Sequence, residues 1–110
     1  MSQGLLGKMS LPAQTYSAVY TVTAGKTSTA NIRLVNTSML TAATIRLAIC
    51  PPGYVAPAVP GDGDWIEPID LPLPSGGVLE EQAMALSGGE TVVVFTSAAG
   101  VVARVHGFEG

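Results

Sequence analysis

Charge is what this chain has least of. Five residues are Lys or Arg and eight are Asp or Glu, 12% of 110, where about a quarter is usual in a soluble domain. The formal net charge of −3 is spread without a run of either sign. That excludes the basic footprint of a nucleic-acid binder and the polybasic patch of a protein resting on an anionic membrane. With Cys50 as the single cysteine, no disulfide can form within the chain, and nothing marks an oxidising compartment. One cysteine and one histidine, His106, cannot build a thiolate or imidazole metal site in a single chain. No apolar run approaches the ~18 residues of a membrane span, and residues 1–11 lack the apolar centre of a secretory signal. The chain is expected to be made in a cytoplasm and used there or in something assembled there.

What is present is apolar and β-forming. Apolar residues make up 47% of the chain, and they alternate. Residues 15–50 hold three β-runs, TYSAVYTVT, TSTANIRLVN and ATIRLAIC, separated by the turn-like AGK and TSMLTA. The second run puts Ala30, Ile32 and Leu34 on one face and Thr29, Asn31 and Arg33 on the other. The third sets Ile45, Leu47 and Ile49 against Thr44 and Arg46. This period of two is the mark of a half-buried strand. Pro51 and Pro52 end the ladder, because proline offers no N–H. Further strands are expected over residues 65–71, 78–86, 91–96 and 101–106. The fourth of these seven is weak because Pro68 pushes it to an edge. Residues 78–86 are rich in helix formers, but their flanking Ser-Gly-Gly turns and short length favour a strand.

The fold class expected is therefore all-β: an antiparallel β-sandwich or jelly-roll-like domain of about seven strands over residues 15–110. Residues 1–14, without periodicity and broken by Gly4, Gly7 and Pro12, read as an extended N-terminal arm that lies on a neighbouring subunit. Removal of residues 1–11 is expected to abolish particle attachment and leave thermal unfolding nearly intact.

The constellations that carry chemistry fail on inspection. Gly25-Lys26-Thr27 looks like the end of a phosphate loop, but Tyr20 stands where that motif needs glycine, and the residues that follow alternate as a strand. Asp62, Asp64 and Glu67 are closely spaced, yet the other ligands of a hand-type calcium loop are missing. No serine sits in a GxSxG elbow to work with His106. Glu80 and Glu81 adjoin, so on a strand they face opposite ways and cannot act as a pair. Asn36-Thr37-Ser38 matches a glycosylation sequon without a secretory route to use it. No catalytic residue, metal or cofactor is assigned, and the chain is not expected to be an enzyme.

Candidate contact residues are easier to name. So few charges point to a surface buried in a larger assembly; the alternative is a domain merely rich in Ala, Thr and Gly. Leu5, Leu6, Met9 and Leu11 give the arm an apolar face, and Tyr54 and Val55 lie in the long irregular segment of residues 53–64, where contacts are often made. Arg33, Arg46 and Arg104 are the only arginines, each mid-strand on an outward position. If their strands adjoin they form one stripe, able to meet Glu80, Glu81 or Glu90 of a neighbour.

The run YTVTAGKTSTANIRLVN (residues 20–36), then TIRLAIC, then DWIEPIDLPLPSGG and the closing residues through VVARVHGFEG resembles a family of small structural proteins of tailed bacteriophages. The likeness covers residues 16–109 and rests on structural motifs: the AGK hairpin, the N-I-R-L-x-N strand, I-R-L-A-I, and a closing V-x-V-x-G-x-E strand, matched here at Val105, Gly107 and Glu109 with Ala103 at its first position. Thr23 stands where a proline often precedes AGK, which touches turn rigidity. The resemblance implies a virion protein assembled in the bacterial host cytoplasm, without enzymatic activity or cofactor. Such modules serve as head decoration or as tail, baseplate or neck subunits, and the resemblance does not say which. The first reading is a capsid decoration (cement) protein bound to the major capsid protein or other virion proteins, as a homo-oligomer, dimer or trimer. A tail, baseplate or neck subunit or fibre adaptor is the alternative. A carbohydrate- or host-surface-binding module ranks last, because exposed aromatics are few.

Overall fold

The computed structural model describes residues 2–110. Among them are eight strands: β1 (Ser2–Ser10), β2 (Ser17–Thr21), β3 (Thr27–Asn36), β4 (Ala43–Cys50), β5 (Leu71–Leu73), β6 (Val78–Ser87), β7 (Thr91–Thr96) and β8 (Val101–Glu109). They form two four-stranded antiparallel sheets. Sheet A runs β1-β8-β3-β6 and sheet B runs β2-β7-β4-β5. The two sheets pack face to face as a β-sandwich.

The alternation read in the sequence sets the core. Ala30, Ile32 and Leu34 of β3, Ile45 and Leu47 of β4, Val92 and Val94 of β7, and Val101, Ala103 and Val105 of β8 all face inward and are fully buried. Fully burying each Val, Leu or Ile is worth about 1.5–3 kcal/mol before entropy is counted. Residues 78–86 are strand, not helix, within β6. In β2 a bulge between Ala18 and Tyr20 breaks the period, so Val19 and Tyr20 are both buried.

Two stretches differ from the sequence reading. Residues 1–14 were expected as an arm; instead Ser2–Ser10 is β1, paired along its length with β8 of its own chain. Leu11 is only 3% exposed, and Leu6 and Met9 pack against the same core. The physical reason is a bulge between Leu5 and Gly7. The extra residue sets Leu6 and Gly7 both toward the core, which hides the period of two from a linear scan. This strand makes eight where seven were expected. The strand expected over residues 65–71 is also displaced. Only its last residue is strand: Leu71–Leu73 pairs with β4, and Trp65 makes one isolated bridge to Ala48.

Sheet B is covered on both faces. Ala48, Cys50 and Val93 alternate with the core residues of β4 and β7, and they meet Tyr16, Tyr54 and Trp65 on the side away from the main core. Residues 51–70 thus fold over the outer face of sheet B. All six residues of β7 are buried, as its unbroken apolar run requires. The outer face of sheet A carries no such cover within the described chain.

Asn36 closes the β3–β4 connection. Its side-chain amide donates to the carbonyls of Thr41 (3.0 Å) and Leu73 (3.1 Å), and its oxygen accepts from Ser38 N–H. Buried and fully used in this way, Asn36 offers no nitrogen to a glycan.

Candidate interaction surface

The antiparallel register of sheet A brings four charged side chains into one row across its open face. Lys8 of β1 lies opposite Arg104 of β8, Arg104 opposite Arg33 of β3, and Arg33 opposite Glu80 of β6. Arg33 Nη1 donates to Glu80 Oε2 at 2.7 Å. Glu80 Oε1 accepts from Gln82 at 2.6 Å. The Gln82 amide, then Arg33, hold the Glu80 carboxyl below its ordinary range. Arg104 has only the His106 imidazole, to which its Nε–H donates at 3.2 Å. Lys8 and Arg104 therefore stand opposite each other as like charges, an arrangement that destabilises a sheet unless an anion joins them. With Met9, Ser10 and Val102 they line a groove of about 350 Å³.

Apolar side chains flank this row. Phe108, 53% exposed, and Leu5, 45% exposed, lie on one side of it, and Val78 lies on the other. The face is thus a cationic band between two apolar margins. The strands present about nine residues each. At ~3.3 Å per residue and ~4.8 Å between strands, the face spans roughly 30 by 19 Å. That plane, about 570 Å², is roughly seven-tenths of the ~800 Å² per partner of a standard contact.

The residues expected at an interface divide. Arg33 and Arg104 meet on sheet A, as the stripe required. Arg46 does not join them, because β4 belongs to sheet B. Its Nε and Nη2 donate to the Asp70 carboxylate at 2.8 and 3.3 Å, its Nη1 to the Tyr16 hydroxyl at 2.7 Å, and its guanidinium lies 4.8 Å from the Phe95 ring centre. Arg46 therefore clamps the covering segment to its own sheet. Tyr54 is half-buried against Ala48, Cys50 and Val93, and its hydroxyl donates to the Ala58 carbonyl at 2.6 Å. Val55 is exposed. Of the apolar residues near the N-terminus, Leu5 alone faces outward, while Leu6, Met9 and Leu11 belong to the core. Lys8, Val78 and Phe108 were missed. Each became visible only once the strand register was known.

Ionisable groups elsewhere are engaged in holding the fold. Glu109 is buried. Its carboxylate accepts from the Tyr20 hydroxyl (2.6 Å), the Thr23 N–H (3.1 Å) and the Thr23 hydroxyl (2.8 Å). The Tyr20 hydrogen bond, then Thr23, keep it below the usual carboxylate range, and burial together with Glu109 pushes Tyr20 up to about 12. Glu109 floors a recess of about 400 Å³ beside Leu5, Leu6 and Val19, with both oxygens already occupied. Cys50 is buried, and desolvation raises its thiol to about 11. Among the described residues no group of three or more His, Cys, Asp or Glu is placed to hold a metal ion.

Glu80 and Glu81 do face opposite ways. Glu81, opposite Ile32 in the register, meets Glu67 instead. A hydrogen bond shared with Glu67, then burial, pushes Glu81 up to about 7 from 4.5. A group raised in the folded state contributes stability below its unfolded value and loses it as pH rises through the folded one. Between about pH 4.5 and 7 the thermal midpoint is therefore expected to fall by a few degrees. Glu81→Gln should flatten that slope, giving the higher midpoint at pH 8; calorimetry across the range reads it.

Compared with known protein families, with curated proteins and with solved structures, the chain matches none.

Proposed function

We propose that the chain is a bacteriophage virion structural protein that acts by docking, a capsid decoration (cement) protein that binds and stabilises the head lattice. The observation that carries this reading is the open face of sheet A, the one sheet face left uncovered by the described chain. There, three of the molecule's five cations and the exposed Leu5, Val78 and Phe108 lie together. Covering so broad a face takes a protein surface, and the excess of cations favours an acidic one. The order of the strands, 1-8-3-6 beside 2-7-4-5, supports reading the sandwich as a jelly roll, the eight-strand double-sheet form found in viral capsid and lectin domains. Fold alone does not decide function, and the virion assignment draws on the sequence resemblance.

A cement protein works by number. Contacts repeated around a shell resist internal pressure although none is strong by itself. The contrast in charge between the two outer faces of this sandwich favours one rival, a tail, baseplate or neck subunit whose copies stack directly on one another. Co-sedimentation with undecorated phage heads separates the two. Wild-type protein is expected to pellet with heads at low salt, and Lys8→Glu with Arg104→Glu to lower occupancy at least tenfold. If wild-type protein stays in the supernatant, the cement reading is lost.

A further inference from the structure

We infer that the open face of sheet A takes the covering segment of a second copy of this chain, so that copies join head to tail. This rests on the reading of that face as a docking surface and names its partner; only the first copy of a string would leave its face to a lattice.

The two outer faces of the sandwich are complementary in charge. On sheet A, Lys8, Arg33 and Arg104 stand against Glu80, a formal charge of +2. On the cover of sheet B, Asp62, Asp64 and Asp70 stand against Arg46, a formal charge of −2. The remaining charged groups lie elsewhere. Lys26 and Glu90 lie in the β2–β3 and β6–β7 turns that link the two sheets, Glu109 is buried, and Glu67 meets Glu81. Apart from Met39 and Leu40, which stand out from the β3–β4 connection, the exposed large apolar side chains lie on these two faces. Leu5, Val78 and Phe108 are exposed on sheet A, and Val55, Val59 and Ile69 on the cover. Each face thus offers what the other lacks in charge while both carry an apolar share.

Two copies joined by their sheet A faces would bring cation against cation. Two joined by their covers would set carboxylate against carboxylate. Either isologous arrangement is repulsive, whereas face on cover pairs opposite signs and buries apolar area at once. Such a heterologous contact closes into a ring if the rotation between copies permits and continues as a filament if it does not.

The test is complementation between two variants in sedimentation equilibrium. One carries Lys8→Glu with Arg104→Glu. The other carries Val55→Lys with Asp62→Lys, both exposed side chains without a hydrogen bond holding the fold. Wild-type protein is expected to gain mass with concentration at low salt. Each variant alone should associate at least tenfold more weakly, and an equimolar mixture should associate again, because one partner keeps the native face and the other the native cover. If the cover variant alone still associates as wild type does, or the mixture stays monomeric, head-to-tail joining is overturned. A wild-type chain that stays monomeric at millimolar concentration also overturns it. If that monomer still pellets with undecorated heads, the docking reading survives without this inference.

Discussion

Gly107→Ala is expected to unfold the protein or lower its thermal midpoint by roughly 12–24 °C. At this point in β8 the side-chain position of Gly107 is filled by the backbone of the paired strand β3. A methyl group would fall on the Thr29 carbonyl oxygen and within 2.9 Å of the Ala30 Cα. Both are backbone atoms in a paired strand, so no side chain can swing aside. Either the β8–β3 register or the spacing of the two strands must give. Overpacking of this kind costs about 3 kcal/mol or more against a total stability of ~5–15 kcal/mol. Each kilocalorie moves the midpoint of a domain this size by about 4–8 °C. Gly63→Ala is the control. Its added Cβ meets no atom within 4 Å, and its effect should stay within about 0.5 kcal/mol. Thermal unfolding followed by circular dichroism compares the two.

Deleting residues 1–11 is expected to be equally severe. The deletion strips β1 from β8, removes Leu11 from the core and uncovers the inward face that Leu6 and Met9 protect. Leu11→Ala alone should cost about 2–4 kcal/mol, the usual range for a buried leucine. The full deletion should leave little folded protein at 37 °C. An unchanged unfolding transition in the truncated chain would restore the reading of this segment as a detachable arm.

How far the sequence could be read follows from where its period survives. In β3 and β4 the pleat is regular, and Thr27–Asn36 and Ala43–Cys50 occupy the residues their alternation marks, while β7, Thr91–Thr96, lies where an unbroken apolar run marks it. In β1 a single bulged residue sets the consecutive Leu6 and Gly7 on the same face, and a strand of nine residues reads as irregular chain. Pro68 and Pro72 blur the short β5, whose pairing is fixed by β4 and not by its own pattern. The contact surface was legible in part for a related reason. Outward positions follow from the period, so Arg33 and Arg104 could be named. Which strands adjoin is set by topology, and no linear pattern tells that β8 lies between β1 and β3 while β4 lies in the other sheet. Lys8 joins the two arginines, and Arg46 is lost to Asp70 and Tyr16, for that reason alone.

The central claim is that the open face of sheet A is a contact surface, completed by another protein. The chain has only two lysines, and they report on it unequally. Lys8 lies within the charged row on sheet A, while Lys26 sits away from it in the turn between β2 and β3, which links the two sheets and is not the hairpin the AGK run suggests. Amine acylation read by mass spectrometry therefore carries its own control. As protein concentration is raised, or as undecorated heads are added, labelling of Lys8 is expected to fall at least several-fold relative to Lys26. A Lys8 to Lys26 ratio that stays constant under both conditions contradicts the account.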